Sequence, residues 1–261
     1  MSQTDVMPGC EPFSHVGTGS TGVLVIHGFT GNPSSMTHQA TAFAAAGHHV
    51  EQPRLPGHGT TVEDMMTTDW TDWSGEAAAA YDRLAERADQ IVVIGLSMGG
   101  TLTLWTGLER QDDDRLKGLI CVNAATAPQP ADMMAMVQEM IDEGNEVMPG
   151  IGSDIADPDV TEIAYEGTPL KQLVSLSNDG LAPITGRYGE LSVPILIFSS
   201  TEDHVVPPES SAHLRDTAGG PDSDLVEFVV LERSYHVATQ DYDKDLINDR
   251  SLEFIDRVTN A

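Results

Sequence analysis

Basic residues are scarce in this chain, and lysine is the scarcest of them. The 261 residues include 41 aspartates and glutamates against 13 lysines and arginines, which gives a formal net charge of −28. Nucleic acid and anionic membranes repel a surface this acidic, because charges of one sign oppose close approach. The composition therefore excludes both as partners and favours a neutral ligand. It fits either an ordinary solvated acidic surface or adaptation to salt.

Cysteine is nearly absent, and long apolar runs are missing altogether. Cys10 and Cys121 are the only cysteines, and neither has the spacing of a metal ligand. No apolar run reaches the roughly 18 residues that a membrane-spanning helix needs. Residues 1–10 also lack the basic and apolar regions of a secretion signal. We therefore expect a cytoplasmic protein without a metal site, a membrane-spanning segment or a secretion signal.

Short apolar runs alternate with helical patterns along the chain. The runs that predict strands cover residues 22–27, 91–95, 118–123, 193–198 and 225–231, with a shorter strand near 50–53. The patterns that predict helices between them cover residues 34–46, 71–88 and 241–258. Continuous apolar runs are typical of a parallel sheet that helices cover on both faces. The alternation predicts an α/β fold forming a single domain over residues 1–261.

One connection is far longer than the others. Roughly 70 residues separate the strands predicted at 118–123 and 193–198, where a few residues and one helix would suffice. Helical patterns at 131–143 and 170–176 lie within this stretch. We interpret residues 124–192 as a cap over the carboxyl edge of the sheet. The methionines along the first of these helices serve either as ordinary core or as an adaptable acyl-binding wall.

The segment Gly95-Leu96-Ser97-Met98-Gly99 carries the strongest chemical signal. It joins an apolar strand to a helical stretch, which is the setting of a nucleophile elbow. In such an elbow a serine stands on a sharp turn, and the small neighbours relieve the crowding of the backbone. The alternative is a tight turn with an idle serine, so the hypothesis depends on finding catalytic partners.

Two loops supply those partners. A serine hydroxyl attacks an acyl carbon with the help of a histidine base and an acid that orients the histidine. In α/β-hydrolases these groups follow in the order serine, acid, histidine, each on a loop after a strand. Residues 199–204 contain Glu202 and Asp203 after one predicted strand, and residues 232–236 end on His236 after the next. The agreement of three placements predicts a serine hydrolase, with both carboxylates of the first loop still candidates.

These motifs resemble the bacterial monoacylglycerol lipases and related small carboxylesterases. The likeness is carried by residues 27–31, 57–59, 95–100, 202–208 and 234–239, and within the cap by 151–154, 158–160 and 165–166. It covers nearly the whole chain, and residues 126–148 depart from it. The resemblance implies an α/β-hydrolase fold: a mostly parallel sheet flanked by helices, with the cap inserted between two core strands.

The resemblance also implies roles for individual residues. Ser97 corresponds to the nucleophile, Asp203 to the acid and His236 to the base. The backbone N–H groups of Phe29 and Met98 correspond to the oxyanion hole. No cofactor and no metal are implied. The glycine-rich residues 17–22 precede a strand instead of joining a strand to a helix, which excludes a dinucleotide fingerprint.

On the substrate side, the resemblance places Ile151 and Glu162 against glycerol, with the glutamate binding its hydroxyl groups. The expected substrate is a small neutral acyl ester, monoacylglycerol, cleaved to glycerol and a fatty acid through an acyl-enzyme. The cap could touch a lipid surface transiently. A general short-chain carboxylesterase or thioesterase is the alternative within this fold. A hydrolase-fold binding module with little turnover is the alternative outside enzymes, and an intact triad counts against it.

Overall fold

The computed structural model describes residues 5–220 and 223–260. The prediction about a secretion signal in residues 1–10 therefore falls partly outside the described residues. The strands are β1 Phe13–His15, β2 Thr21–Ile26, β3 His49–Gln52, β4 Gln90–Leu96, β5 Leu116–Val122, β6 Val147–Pro149, β7 Gly167–Pro169, β8 Ile195–Ser200 and β9 Val226–Leu231. The α-helices are α1 Thr37–Ala45, α2 Val62–Met65, α3 Trp70–Ala85, α4 Met98–Glu109, α5 Ala131–Asp142, α6 Leu170–Ser175, α7 Ala182–Thr185, α8 Pro208–Thr217 and α9 Lys244–Thr259.

Seven strands form one sheet in the order β1-β3-β2-β4-β5-β8-β9. Only β1 is antiparallel to its neighbour, and the other pairs are parallel. Alternate residues of each strand enter separate apolar layers, so that Val23 and Val25 of β2 face one layer and Leu24 and Ile26 the other. Helices α1 and α9 contribute to the first layer, and α3 and α4 to the second. The predicted α/β-hydrolase architecture is confirmed.

Local sequence explains where α3 begins. The Asp69 carboxylate accepts the Thr71 N–H at 2.8 Å, and the Asp72 carboxylate accepts the Asp69 N–H at 3.0 Å. This capping box satisfies two N–H groups that a helix start leaves without a partner. The helix then buries Trp73, Ala77, Tyr81 and Leu84, which the sequence places on one face.

The last helix begins later than the sequence predicts. The pattern predicts a helix from residue 241, and α9 begins at Lys244. Asp241 is buried, and its carboxylate accepts N–H groups from Ala156, Asp157, Tyr235 and Tyr242. These bonds hold residue 241 in a loop because a helical backbone there would pull the carboxylate away from its partners.

Residues 124–192, which we call the inserted segment, lie between β5 and β8 in the chain. They contain α5, α6, α7, an antiparallel ribbon of β6 and β7, and a π-helical turn, Leu176–Leu181. Val137, Leu170 and Leu173 form a small apolar core, and Phe29 packs against it. In α5 only Val137 is buried, and Met136 is 57% exposed. That this segment acts as a cap, and that residues 1–261 form one domain, stay predictions.

Candidate active site

Ser97 lies between the end of β4 and the start of α4, in a backbone conformation that few residues adopt. Its φ is 56° and its ψ is −119°. Such a conformation costs a non-glycine residue about 1–3 kcal/mol and is concentrated at functional sites. A Cβ on Gly95 would lie 2.0 Å from the Gly99 carbonyl oxygen, and a Cβ on Gly99 would lie 2.1 Å from the Ile26 carbonyl oxygen. The two glycines of the elbow are therefore required by close backbone packing.

The loops after β8 and β9 bring Asp203 and His236 together. Asp203 Oδ2 lies 2.8 Å from His236 Nδ1, and these side chains are 2% and 8% exposed. The other carboxylate oxygen of Asp203 accepts the N–H groups of Val205 and Val206 at 2.9 and 2.8 Å. Glu202 faces solvent. Of the two adjacent carboxylates, the structure thus places Asp203 against the histidine.

The hydrogen bond between Asp203 and His236 also sets the protonation of the ring. An ionised carboxylate only accepts, so Nδ1 of His236 carries the proton and donates it. In the neutral ring Nε2 is then free of a proton and can act as a base. Among the described residues, Ser97 Oγ makes no hydrogen bond, so the structure joins Asp203 to His236 but does not show a bond from Ser97 to His236.

Asn123, at the carboxyl end of β5, links Ser97 to the loop that contains His236. The carbonyl oxygen of Val122, the residue before Asn123, accepts the Ser97 N–H at 3.0 Å. The Asn123 side chain donates to the His236 carbonyl oxygen at 2.8 Å and accepts the Ser200 N–H at 2.8 Å. Sequence reasoning missed this residue. Its φ of 44° is a conformation that asparagine tolerates better than most residues, which explains its presence at the strand end.

His27 orients the loop that contains the predicted oxyanion donor. Its Nε2 accepts the Leu55 N–H at 3.1 Å, so the proton is on Nδ1, which donates to the Gly28 carbonyl oxygen at 3.0 Å. Burial holds the pKa of His27 well below its ordinary value, which keeps the ring neutral. In a trans peptide the Phe29 N–H points away from the Gly28 carbonyl. Both ring nitrogens of His27 thus bond backbone groups.

The same loop passes directly beside the serine. A Cβ on Gly28 would lie 3.3 Å from Ser97 Cβ. The Met98 N–H belongs to the first turn of α4, where backbone N–H groups lack helical partners. Phe29 is held edge-on to the ring of Trp73, with a centroid distance of 5.7 Å. Phe29 directly follows Gly28 and Met98 directly follows Ser97, so both residues lie near the serine, and their role as an oxyanion hole stays a prediction.

Glu162 extends from the inserted segment toward His236 and Gly31, whereas Ile151 is on the surface. The Glu162 carboxylate oxygen Oε1 lies 3.1 Å from the position that a Cβ on Gly31 would occupy. Burial raises the pKa of Glu162 to about 7, and a charge on His236 lowers it. The Glu162 N–H donates to Ser153 Oγ at 3.0 Å. Ile151 is 66% exposed, so its contact with a substrate stays a prediction.

The described residues contain no group of three or more His, Cys, Asp or Glu side chains arranged to hold a metal ion.

A strained serine at an elbow, a buried His–Asp pair and this sheet order together define a serine hydrolase of the α/β-hydrolase fold. Residues 20–243 match the family model described as Hydrolase_4, serine aminopeptidase, S33. The match covers most of the chain, so the chain belongs to that family.

Two relatives resemble the chain along nearly its whole length. A thermostable monoacylglycerol lipase of Bacillus sp. (strain H-257) is 43% identical over 97% of this chain and 96% of its own. A carboxylesterase of Bacillus subtilis (strain 168) is 25% identical over 95% of this chain and 97% of its own. Both are ester hydrolases by name, which agrees with the enzyme class that the sequence predicts.

Solved structures agree with these relatives. One, described with LipS and LipT, two metagenome-derived lipolytic enzymes, superposes with a TM-score of 0.88 at 42% identity and covers 97% of this chain and 100% of its own. The monoacylglycerol lipase of Paleococcus ferrophilus has a TM-score of 0.73 at 18% identity over 96% of this chain and all of its own, which supports the fold alone. The resemblance, the fold and the assignment as a carboxylic ester hydrolase are confirmed.

Proposed function

We propose that the chain hydrolyses monoacylglycerol to glycerol and a fatty acid, with Ser97 as nucleophile, Asp203 as acid and His236 as base. The observation that carries the proposal is the 2.8 Å hydrogen bond between the buried Asp203 and His236 side chains, beside a strained serine. The substrate class is supported by the relative that is 43% identical over 97% of the chain, a monoacylglycerol lipase.

In the first half of the reaction, Ser97 Oγ attacks the ester carbonyl carbon while His236 Nε2 takes its proton. The carbonyl oxygen becomes an oxyanion, which the N–H groups of Phe29 and Met98 stabilise. Asp203 stabilises the positive charge on the imidazole. The bond to glycerol then breaks, and His236 gives its proton to the departing oxygen, which leaves the acyl group on Ser97.

In the second half, water replaces glycerol. His236 takes a proton from the water as its oxygen attacks the acyl carbon, and the same N–H groups hold the second oxyanion. The bond to Ser97 breaks and Oγ regains its proton from His236. The products are a free fatty acid and the resting enzyme, so the cycle consumes one water and no cofactor.

The inserted segment recognises the alcohol part of the substrate in this proposal. Glu162, near His236, accepts hydrogen bonds from glycerol hydroxyl groups, and Ile151 lines the same side. Residues 124–192 act as a cap, and their exposed Met136 and Ile163 touch a lipid surface transiently. A net charge of −28 favours an uncharged lipid surface over an anionic one.

We place the protein in the cytoplasm as part of this proposal. Cys10 and Cys121 are both free and buried, as suits a reducing compartment. Burial raises the pKa of the Cys121 thiol to about 12, which keeps it unreactive. None of the helices in residues 5–220 and 223–260 is long and apolar enough to cross a membrane.

A Ser97→Ala variant tests the mechanism. We expect kcat for monoacylglycerol to fall by about 10⁴-fold or more, because the attacking oxygen is gone while the oxyanion donors remain. The far-ultraviolet circular dichroism should match that of the wild type. Activity is measured on mono-, di- and triacylglycerols and on p-nitrophenyl esters, and an alkyl phosphonate should label the wild type and not the variant.

The outcomes separate mechanism from substrate. Substantial ester turnover by Ser97→Ala would refute the catalytic serine. A wild type that hydrolyses diacylglycerols or aryl esters with higher kcat/KM than monoacylglycerol would refute the substrate and leave the mechanism standing. Labelling without turnover would indicate a binding module.

A further inference from the structure

A carboxylate from the inserted segment contacts both loops that carry the proposed acid and base. Asp154 Oδ2 accepts the N–H groups of His204 and His236, each at 3.1 Å. Its Oδ1 lies 2.7 Å from His204 Nδ1, which donates because a carboxylate accepts. The Asp154 carbonyl oxygen accepts the Val237 N–H at 3.0 Å. The side chain of Asp154 is only 10% exposed.

One oxygen atom therefore fixes the spacing of two separate peptide groups. His204 directly follows Asp203, so its N–H belongs to the peptide unit that joins the acid to the next residue. The other N–H belongs to His236 itself. The bond between Asp203 and His236 depends on the distance between these backbones, because both side chains are short. Asp154 Oδ2 constrains that distance by bonding both backbones.

A second carboxylate holds the histidine loop but does not reach the acid loop. Asp241 accepts the Tyr235 N–H at 2.9 Å and the Ala156 N–H at 2.7 Å. It thus ties the inserted segment to the residue before His236. The Asn123 side chain also bonds both loops, through Ser200 and His236, but it lies outside the inserted segment. Within residues 124–192, Asp154 is the side chain that bonds both the acid loop and the histidine loop.

We infer that Asp154 is a positioning residue for the Asp203–His236 pair, through which the inserted segment holds the base in its working orientation. The inference rests on the proposed function, because it takes His236 as the base. In the proposed mechanism, Asp154 touches no reacting atom. It acts by fixing the backbone on which the base and the acid stand, so its loss should lower the rate of chemistry more than the binding of substrate.

Substitutions at residue 154 test the inference. Asp154→Ala removes the shared acceptor, and Asp154→Asn keeps one oxygen for the two N–H groups. Asp159→Ala is the matched control, because it removes the same charge from an exposed residue of the same segment. With a p-nitrophenyl ester, we expect Asp154→Ala to lower kcat by about 10- to 100-fold, since a misplacement near 1 Å has this effect. KM should stay within about 3-fold, Asp154→Asn should recover most of kcat, and the control should match the wild type.

Proton NMR supplies a readout that lost stability alone would not move. The Nδ1 proton of His236, bonded to the Asp203 carboxylate, should give a far-downfield resonance, which His236→Ala identifies by removing it. In folded Asp154→Ala this resonance should shift upfield or broaden, and Asp154→Asn should restore it. If Asp154→Ala does not fold, Asp154→Glu replaces it, because the longer side chain moves the acceptor while keeping the charge. The same loss of kcat and change in the resonance are then expected.

The results distinguish this inference from the proposed function. Turnover by Ser97→Ala or His236→Ala would refute the proposed function itself. If those variants are inactive while folded Asp154→Ala, or Asp154→Glu in its place, keeps wild-type kcat and an unchanged resonance, only the inference about Asp154 is refuted. A loss of kcat in Asp154→Asn equal to that in Asp154→Ala would also refute it, because the acceptor would then not be the cause.

Discussion

Glu162 holds a carboxyl group whose ionisation falls in the neutral range. Burial penalises the charged form and raises its pKa to about 7, and the neighbouring His236 opposes this when protonated. Because the pKa is raised, the carboxyl is mostly protonated at pH 6 and mostly ionised at pH 8. A hydrogen bond to an ionised acceptor is worth about 1.5–3 kcal/mol, and one between neutral groups about 1.

Substitution of Glu162 should therefore impair monoacylglycerol hydrolysis more at high pH. We expect Glu162→Ala to lower kcat/KM for monoacylglycerol by roughly 10-fold at pH 8, which corresponds to about 1.4 kcal/mol, and by less at pH 6. A p-nitrophenyl ester, which has no glycerol hydroxyls, serves as the reference at each pH and cancels any effect of pH that both esters share. Equal losses of kcat/KM on both esters at both pH values would show that Glu162 stabilises the inserted segment and does not bind glycerol.

Local pattern in the sequence predicts roles for Ser97 and His236, and those roles stay predictions. Ser97 is set by two glycines, and His236 by its place on the loop after a strand. Asn123 and Asp154 escaped prediction because their partners are backbone groups on distant loops. Asp154 bonds residues 50 and 82 positions away. No periodicity or spacing in the chain indicates such a pairing, which exists only once the sheet has assembled.

Among the elements, burial decided what could be predicted. Strand β2 is buried at all six positions, so its apolar run in the sequence predicts a strand clearly. Strand β1 was missed because it has only three residues, is partly exposed, and pairs with β3, whose residues lie 35 to 39 positions away. Helix α8 was missed because it buries only Ser211 and Leu214, which is too little for an apolar face.

Two glycine-to-alanine substitutions should change stability in opposite directions. Gly75, exposed within α3, has open space around it, whereas a Cβ on Gly95 would lie 2.0 Å from backbone. We expect Gly75→Ala to stabilise the fold by about 0.5–1 kcal/mol through helix propensity, raising Tm by about 1–3 °C. Gly95→Ala should destabilise by about 3 kcal/mol, or prevent folding, through overpacking.

Thermal unfolding followed by circular dichroism checks both expectations. Ester hydrolysis by Gly75→Ala should equal that of the wild type, which makes it the control for handling and purification. A Gly95→Ala protein with wild-type Tm would show that the elbow accommodates a Cβ at residue 95 without loss of stability, contrary to the close contact between Gly95 and Gly99.

Over the whole molecule, most positive charge is already paired. Nine of the ten arginines form ion pairs with carboxylates within residues 5–220 and 223–260. Many carboxylates remain without a cation, and the net charge stays at −28. Repulsion among them opposes the compact state. Salt weakens that repulsion, because the Debye length falls from roughly 30 Å at 0.01 M to about 3 Å at 1 M.

Added salt should therefore stabilise the protein without slowing it. We expect Tm to rise between 0.01 M and 1 M NaCl, by about 2–4 °C for each kcal/mol of repulsion removed. Turnover of monoacylglycerol should be maintained, because a neutral ester needs no electrostatic steering. KCl should give the same rise as NaCl, since screening depends on ionic strength. A Tm that stays flat or falls in both salts would show that the acidic surface has little effect on stability.

The positions of the tryptophans allow their intrinsic fluorescence to serve as a probe of the protein. The ring of Trp73 lies edge-on to that of Phe29, in the loop after β2, at a centroid distance of 5.7 Å. Trp70 packs against Gly180 of the inserted segment and lies edge-on to Trp105 at 6.4 Å. These are all three tryptophans of the chain. Intrinsic fluorescence thus reports from the loop beside Ser97 and from the inserted segment, and stopped-flow mixing with substrate can time their movements without an attached dye.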